Sequence, residues 1–394
     1  MRTSEQPVVG VVGGGQLARM MYQAAIPLGI GLSVLAANEA DSGARIAHDV
    51  TVGDWHDPEV LRAFAAPCDV ITFDHELVDP ATVALLEEAE TVVRPGASTL
   101  RHAADKARQR VLCDALGIAT PPHVIATRAS DATAAAERFG YPLVAKLARG
   151  GYDGRGVFWL ADADETADLF ESLPPNTVVV IEPELTLSVE LATQVVRRAD
   201  GTMVQYPLVR TYQQGGICRM LEAPADVDAA VARQAQDWAA TLAEATEAVG
   251  VLAVEFFVTD QGLVVNELAP RPHNSGHYSI DACVTSQFEN HLRAVLDLPL
   301  GAPDLIVPAA LMINLIAGRT HPDELAGLTA DPHARVHHYG KTSRPGRKIG
   351  HVTICGTDGP ALLRRATALS RPDPVGAAPP TTERVDPTPV EVRS

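Results

Sequence analysis

Residues 251–267 read Val-Leu-Ala-Val-Glu-Phe-Phe-Val-Thr-Asp-Gln-Gly-Leu-Val-Val-Asn-Glu. Two β-branched and aromatic runs meet at Thr259-Asp260-Gln261-Gly262, so the stretch predicts an antiparallel hairpin. A hairpin centred near position 261 places Glu255 opposite Glu267 on one face. Like charges held opposite one another destabilise a strand pair unless something neutralises them, and a hard divalent cation with oxygen ligands does so. Asn266 and Asn274 add oxygen donors nearby. Solvated edge-strand glutamates are the plainer alternative, but Val254, Phe256, Val265 and Leu268 flank the pair and point to a buried sheet.

Upstream, the strand Leu143–Leu147 carries Lys146 and runs into Gly150-Gly151-Tyr152-Asp153-Gly154-Arg155-Gly156, followed by a strand over Val157–Leu160. Glycines at this density let the backbone approach phosphate oxygens, and Lys146 and Arg155 supply positive charge. No G-K-[ST] ends the loop, so it is not a helix-opening P-loop. The β-rich run Val178–Ile181 ends in Glu182-Pro183-Glu184-Leu185, and Glu190 follows eight residues after Glu182. Such a segment can line a purine with backbone groups and offer Glu190 to ribose hydroxyls. Helices over Ala103–Leu116, Asp131–Phe139 and Val227–Ala248, with strands over Ser188–Val196 and the hairpin, make residues 103–298 a mixed α+β domain.

The N-terminal portion, residues 1–102, alternates apolar strands (Val8–Val12, Leu32–Ala37, Val70–Phe73) with helical stretches and reads as a small parallel α/β domain. Its first turn, Gly13-x-Gly15-x-x-Ala18 with Glu39 or Asp41 further on, is a variant of the dinucleotide fingerprint and taken alone favours an NAD-dependent enzyme. The physical requirement is broader, because any anion satisfies amides at a helix N-terminus. Beyond Pro299-Leu300-Gly301, residues 299–370 form a third segment with the apolar run Leu311–Ile316 and the basic run Lys341–Lys348. Residues 371–394 belong to a proline-rich stretch without periodicity and are expected to be a disordered tail.

Composition narrows the field. The 394 residues carry 32 Lys and Arg against 49 Asp and Glu, a formal charge of −17. A general attraction to nucleic acid or anionic lipid is therefore not expected, and an anionic ligand needs a local cluster of cations. Five cysteines are scattered without a C-x-x-C pair, so neither a zinc knuckle nor a disulfide framework is indicated and the set fits a reducing cytoplasm. The longest apolar stretch is too short to span a bilayer. His273 and His277 flank Asn274-Ser275-Gly276 without a partner at metal spacing and read as polar loop groups.

Lys146, the loop Gly151–Gly156, the Glu255 and Glu267 pair, and above all Asn266-Glu267-Leu268-Ala269-Pro270-Arg271-Pro272-His273-Asn274-Ser275-Gly276-His277 together resemble the ATP-grasp superfamily. Within it they are similar to the biotin-independent carboxylases that make N5-carboxyaminoimidazole ribonucleotide. Gly15-Gln16-Leu17, Met312–Ile316 and Arg344–His351 extend the resemblance from residue 8 to about residue 370. It implies a Rossmann-like α/β domain, a central ATP-grasp domain and a small C-terminal domain. By the resemblance, Lys106 and Lys146 contact ATP phosphates beneath Gly151, Gly154 and Gly156. Glu182 and Leu185 hold adenine, Glu190 and Gln213 lie at the nucleoside, and Asn266 lies beside a Mg2+ on Glu255 and Glu267. Tyr152, Asp153, Arg155, Arg271 and Asn274 serve catalysis. Gly15, Gln16, Leu17, Glu76, Lys341, Arg347 and Lys348 bind the ribonucleotide, with amides near Gly15-Gln16 assisting at its phosphate. Two positions depart from the family pattern: Lys106 stands where Arg is common, and Gln213 where many members have His. The implied partners are 5-aminoimidazole ribonucleotide, bicarbonate and a second copy of the chain. A formate-dependent ribonucleotide transformylase and a catalytically inactive nucleotide-binding regulator are the alternatives.

Overall fold

The computed structural model describes residues 6–150 and 156–369. Parallel strands β1 (Val8–Val12), β2 (Gly31–Ala36), β3 (Asp49–Val52) and β4 (Val70–Phe73) form the first sheet in the order β3-β2-β1-β4. Asp57-Pro58 and Asp79-Pro80 start two of its crossover helices, each aspartate capping a free amide and each proline occupying a position that needs no N–H. The order reverses between β1 and β4, and ligands of open α/β sheets bind at the carboxyl ends beside such a switch point. Gly13–Gln16 and Asp74–Glu76 both emerge there.

Strands β5 (Val124–Ala126), β6 (Leu143–Leu147), β7 (Val157–Leu160) and β8 (Val179–Pro183) make a second, antiparallel sheet ordered β5-β8-β6-β7. The helix expected over Ala103–Leu116 is interrupted. Ala97–Ala103 ends one helix, and Asp105 caps a new one, Lys106–Leu116, by accepting from Arg108 N at 3.1 Å.

The third sheet joins β9 (Val189–Arg197), β10 (Met203–Gln205), β11 (Val209–Gln214), β12 (Ile217–Ala223), β13 (Gly250–Thr259), β14 (Gly262–Ala269), β15 (Ala309–Ile316), β16 (Ala334–His338) and β17 (Lys348–Gly356). Its main path runs β14-β13-β9-β11-β12-β15-β17-β16. Because β15 pairs with β12, the third segment extends the central sheet and has no separate sheet of its own. Ala235, Ala239, Leu242 and Ala243 of the helix Ala229–Ala245 pack on the same core as Leu191, Val195, Leu252 and Val254. The helix Gln287–Val295 inserts Phe288, Leu292 and Val295 into the core of the first domain. At that seam His291 bridges the two units, with Nε2 2.8 Å from Thr72 Oγ1 and Nδ1 accepting from Val251 N at 3.1 Å.

The hairpin pairs Glu255 with Glu267, by a route the sequence reading did not contain. The turn is the two-residue Asp260-Gln261, so strict pairing sets Phe256 opposite Val265 and would set Glu255 opposite Asn266. A bulge between these pairs adds Asn266 to β14 and moves Glu267 into register. Among the described residues, no helix is long and apolar enough to cross a membrane, and all five cysteines are free.

Candidate active site

The site is held together by a buried ionic knot. Lys146, on β6, places Nζ 2.8 Å from Glu182 Oε2 and donates to Asn266 Oδ1 at 3.1 Å. It thereby bridges the second sheet to the bulge of the third. Arg110, fully buried, donates to Glu182 Oε1 through Nε at 3.0 Å and Nη2 at 2.6 Å, while its Nη1 donates to the Asn266 carbonyl at 3.0 Å. Burial opposes ionisation of Glu182, but Lys146 and Arg110 overcome it and hold the carboxyl down at about 2. The Glu182 carboxylate is thus engaged by both cations, and the chain continues from it to the half-buried Leu185. Arg110 was missed at the sequence level. Its one available signal is its spacing of four residues from Lys106, which puts both cations on one helical face.

One step along the third sheet lie three carboxylates. Glu190 on β9 neighbours Phe257 of β13 and Thr211 of β11, and it is hydrogen-bonded to Gln213. Burial pushes it up to about 7 against the opposing pull of Gln213 and Lys146. Glu255 is raised in the same direction by burial, then by Glu267 and Glu190, with Lys348 and Lys106 acting against them. Lys106 Nζ is 3.0 Å from Glu267 Oε2, and His273 Nε2 is 3.8 Å from Glu255 Oε1. Two carboxylates that resist joint ionisation, with a third close by, are a donor set suited to a hard divalent cation. Lys348 comes from the third segment, so the charge of the basic turn is felt at this centre.

At the switch point of the first sheet, the α/β unit and the basic turn meet. Gln16 Oε1 accepts directly from Lys341 Nζ, across most of the chain length. Arg347 stands at the head of β17 and folds the turn back by donating from Nη1 to the Thr342 carbonyl at 3.2 Å. Most of the amides at this first turn are already engaged. Asp74 accepts from Gly15 N, from Leu17 N at 2.9 Å and from Ala18 N at 3.2 Å. Gly15 is glycine because a Cβ would lie 2.1 Å from Asp74 Oδ2. A carboxylate in that seat also opposes a dinucleotide pyrophosphate. The Leu17 side chain is buried in the first core and supports the turn from behind.

Glu76 and Arg271 are brought together. Arg271 Nε contacts Glu76 Oε2, and Nη2 donates to Oε1 at 3.0 Å, a two-point pair between the segment after β4 and the segment after β14. Burial opposes ionisation of Glu76, but Arg271 holds it down at about 2. Asn274 exchanges two amide hydrogen bonds with Asn314 of β15, at 2.9 and 2.8 Å. His277, read as a polar loop group, is fully buried. Gly156 is described, in the left-handed region at φ +72°. Gly151, Tyr152, Asp153, Gly154, Arg155 and the tail beyond residue 369 lie outside the described residues.

Comparison with known proteins follows the same three-part division. A family model for the ribonucleotide synthetase preATP-grasp domain matches residues 7–104, one for the ATP-grasp domain residues 111–288, and one for the phosphoribosylaminoimidazole carboxylase C-terminal domain residues 310–365. An N5-carboxyaminoimidazole ribonucleotide synthase of Mycobacterium bovis is 43% identical over 369 residues, 91% of this chain and 86% of that protein. The crystal structure of an N5-carboxyaminoimidazole ribonucleotide synthetase in complex with ADP superposes with a TM-score of 0.86 at 31% identity, covering 94% of this chain and 98% of the other. An Aspergillus clavatus N5-carboxyaminoimidazole synthase in complex with ADP and 5-aminoimidazole ribonucleotide gives a TM-score of 0.83 at 31% identity, with coverages of 92% and 97%.

Proposed function

The chain belongs to the N5-carboxyaminoimidazole ribonucleotide synthase family of ATP-grasp enzymes, and on that premise we propose that it uses ATP to join bicarbonate to the exocyclic amine of 5-aminoimidazole ribonucleotide. Bicarbonate is a poor electrophile. Transfer of the ATP γ-phosphoryl group to a bicarbonate oxygen gives carboxyphosphate and ADP. The amine nitrogen then bonds to the carboxyl carbon delivered by carboxyphosphate as the bond to phosphate breaks, and the amine proton leaves. Such chemistry asks the protein mainly to align reactants, neutralise phosphate charge and keep water away.

Lys106 and Lys146 carry cations to the phosphates, the backbone from Glu182 to Leu185 lines adenine, and Glu190 with Gln213 takes the ribose hydroxyls. Gly151, Gly154 and Gly156 belong to the phosphate loop, and Tyr152, Asp153 and Arg155 are assigned to the bicarbonate-derived group. Glu255 and Glu267, with Asn266 beside them, hold Mg2+, which when bound offsets charge on the phosphate oxygens. Arg271, paired to Glu76, and Asn274, fixed by Asn314, border the imidazole and ribose. Arg347, Lys348 and Lys341 with Gln16 receive the 5′-phosphate. The observation that carries the reading is the contact of the third segment's basic turn with Gln16 through Lys341, with the charge of Lys348 felt at Glu255. ADP release is expected only with bicarbonate and 5-aminoimidazole ribonucleotide together, with one carbamate formed per ADP. ADP release supported by formate in place of bicarbonate would overturn it. The same reading gives a cytoplasmic homodimer, checked by sedimentation of the full chain.

A further inference from the structure

The β16–β17 hairpin carries a second polar centre that the proposed reaction does not use. His337 and His351 are direct cross-strand partners, their rings stacked 4.5 Å apart at an interplanar angle of 16°. Asp281, in the short helix Ser279–Ala282, faces them with Oδ2 2.8 Å from His337 Nε2. One ligand atom from each of Asp281, His337 and His351 lies within 4.8 Å of the other two, a convergence of three such groups found nowhere else among the described residues. His351 Nδ1 is bonded to Tyr339 Oη at 2.8 Å, while its Nε2 is buried without a hydrogen-bond partner among the described residues. His277, whose ring lies 5.2 Å from that of His351, has its Nε2 in the same condition. Native structures nearly always give buried polar atoms a partner, so an orphaned nitrogen on a ring that converges with a carboxylate and a second imidazole calls for one.

We propose that Asp281, His337 and His351 bind a zinc-class divalent transition-metal ion through one carboxylate oxygen and two imidazole nitrogens. This donor set is softer than the all-oxygen set of Glu255 and Glu267, so the two centres differ in the metal they select. Tyr339 bonds the far nitrogen of His351, the kind of outer partner that fixes a ligand ring. His337 exchanges its hydrogen bond to Asp281 for a shared metal, and water completes the shell. The consequence is mechanical. Tyr339 leads into Gly340-Lys341, and Arg347-Lys348 lie at the start of β17, so a metal here fastens both ends of the basic turn to the segment after β14.

The test uses the full chain, stripped with chelator and titrated with Co2+ in excess Mg2+. One equivalent is expected to bind with visible ligand-field bands, and Zn2+ is expected to displace it. His337→Ala should weaken binding at least ~100-fold and Tyr339→Phe about 10-fold, while Glu267→Gln should leave the Co2+ spectrum unchanged. Asp281→Asn repeats the test where His337→Ala folds poorly. Absence of the bands, wild-type affinity in both ligand variants, or loss of binding in Glu267→Gln overturns the proposal.

Discussion

Glu267 meets Lys106 on one side and Glu255 on the other, so its charge matters more than its volume. Glu267→Gln preserves shape and removes one of two charges offered to a cation. Turnover is expected to fall about 100-fold or more, with the fold intact by circular dichroism; near-normal turnover at saturating Mg2+ would reject the assignment. Glu190 makes a different prediction. Raised to about 7, it keeps a proton in the folded protein that the unfolded chain loses near the ordinary value of 4.5. Folding stability from this group therefore declines as pH rises through that window, since the folded state then binds more protons than the unfolded one. The buried His277, His291 and His351 are held neutral and act in the opposite sense, so the useful quantity is a difference between two proteins. Glu190→Gln should match wild type near pH 4.5 and become more stable by on the order of 1–3 kcal/mol by pH 8, read from urea midpoints. A constant difference across pH would refute the shift.

Elements differ in how much of them a sequence displays. The β13–β14 hairpin was legible because alternation and turn residues are local signals, but the exact facing of Glu255 and Glu267 depends on the bulge as well. The bulge was not, because what engages Asn266 is Arg110, 156 residues away, together with Lys146. Strands β11 and β12 escaped notice because Arg210, Gln213, Gln214 and Arg219 dilute the apolar pattern, and their pairing is set by β9 and β15 on either side. Arg110 itself reads as a solvent-facing helical cation until Glu182 is found against it. Glu76 and Arg271 could each be named, but not their pairing across 195 residues. For the helix Lys106–Leu116 this has a measurable consequence. Removing one partner of a buried ion pair leaves charge poorly compensated, so Arg110→Met should lower unfolding free energy by about 3 kcal/mol, with Arg110→Lys recovering part of it. Equal stability of Arg110→Met and wild type in urea would show that Lys146 alone suffices for Glu182.

At the scale of the whole molecule, the question is how a chain of net charge −17 holds a second polyanion beside ATP. The architecture answers by local concentration. β15 and β17 extend the central sheet until the turn between β16 and β17 returns to the first domain, where Lys341 meets Gln16. Four cations, Lys341, Arg344, Arg347 and Lys348, lie within eight residues of sequence, and Gly346, at φ +78°, turns the chain between them. A solvated basic turn would have no reason to contact the first domain, and this one does so through Lys341 and also through the Gly340 carbonyl, which accepts from Arg45 at 2.9 Å. Asp74 already fills most of the amide seat at the first turn, so the proposed reading assigns the 5′-phosphate to side-chain cations. Losing one charge-assisted phosphate contact weakens binding by about 2 kcal/mol, or ~30-fold. Arg347→Ala is therefore expected to raise KM for 5-aminoimidazole ribonucleotide by that order while changing KM for ATP little. Equal increases in both constants would instead place Arg347 in the shared framework between the domains, and no increase in either would place the 5′-phosphate elsewhere.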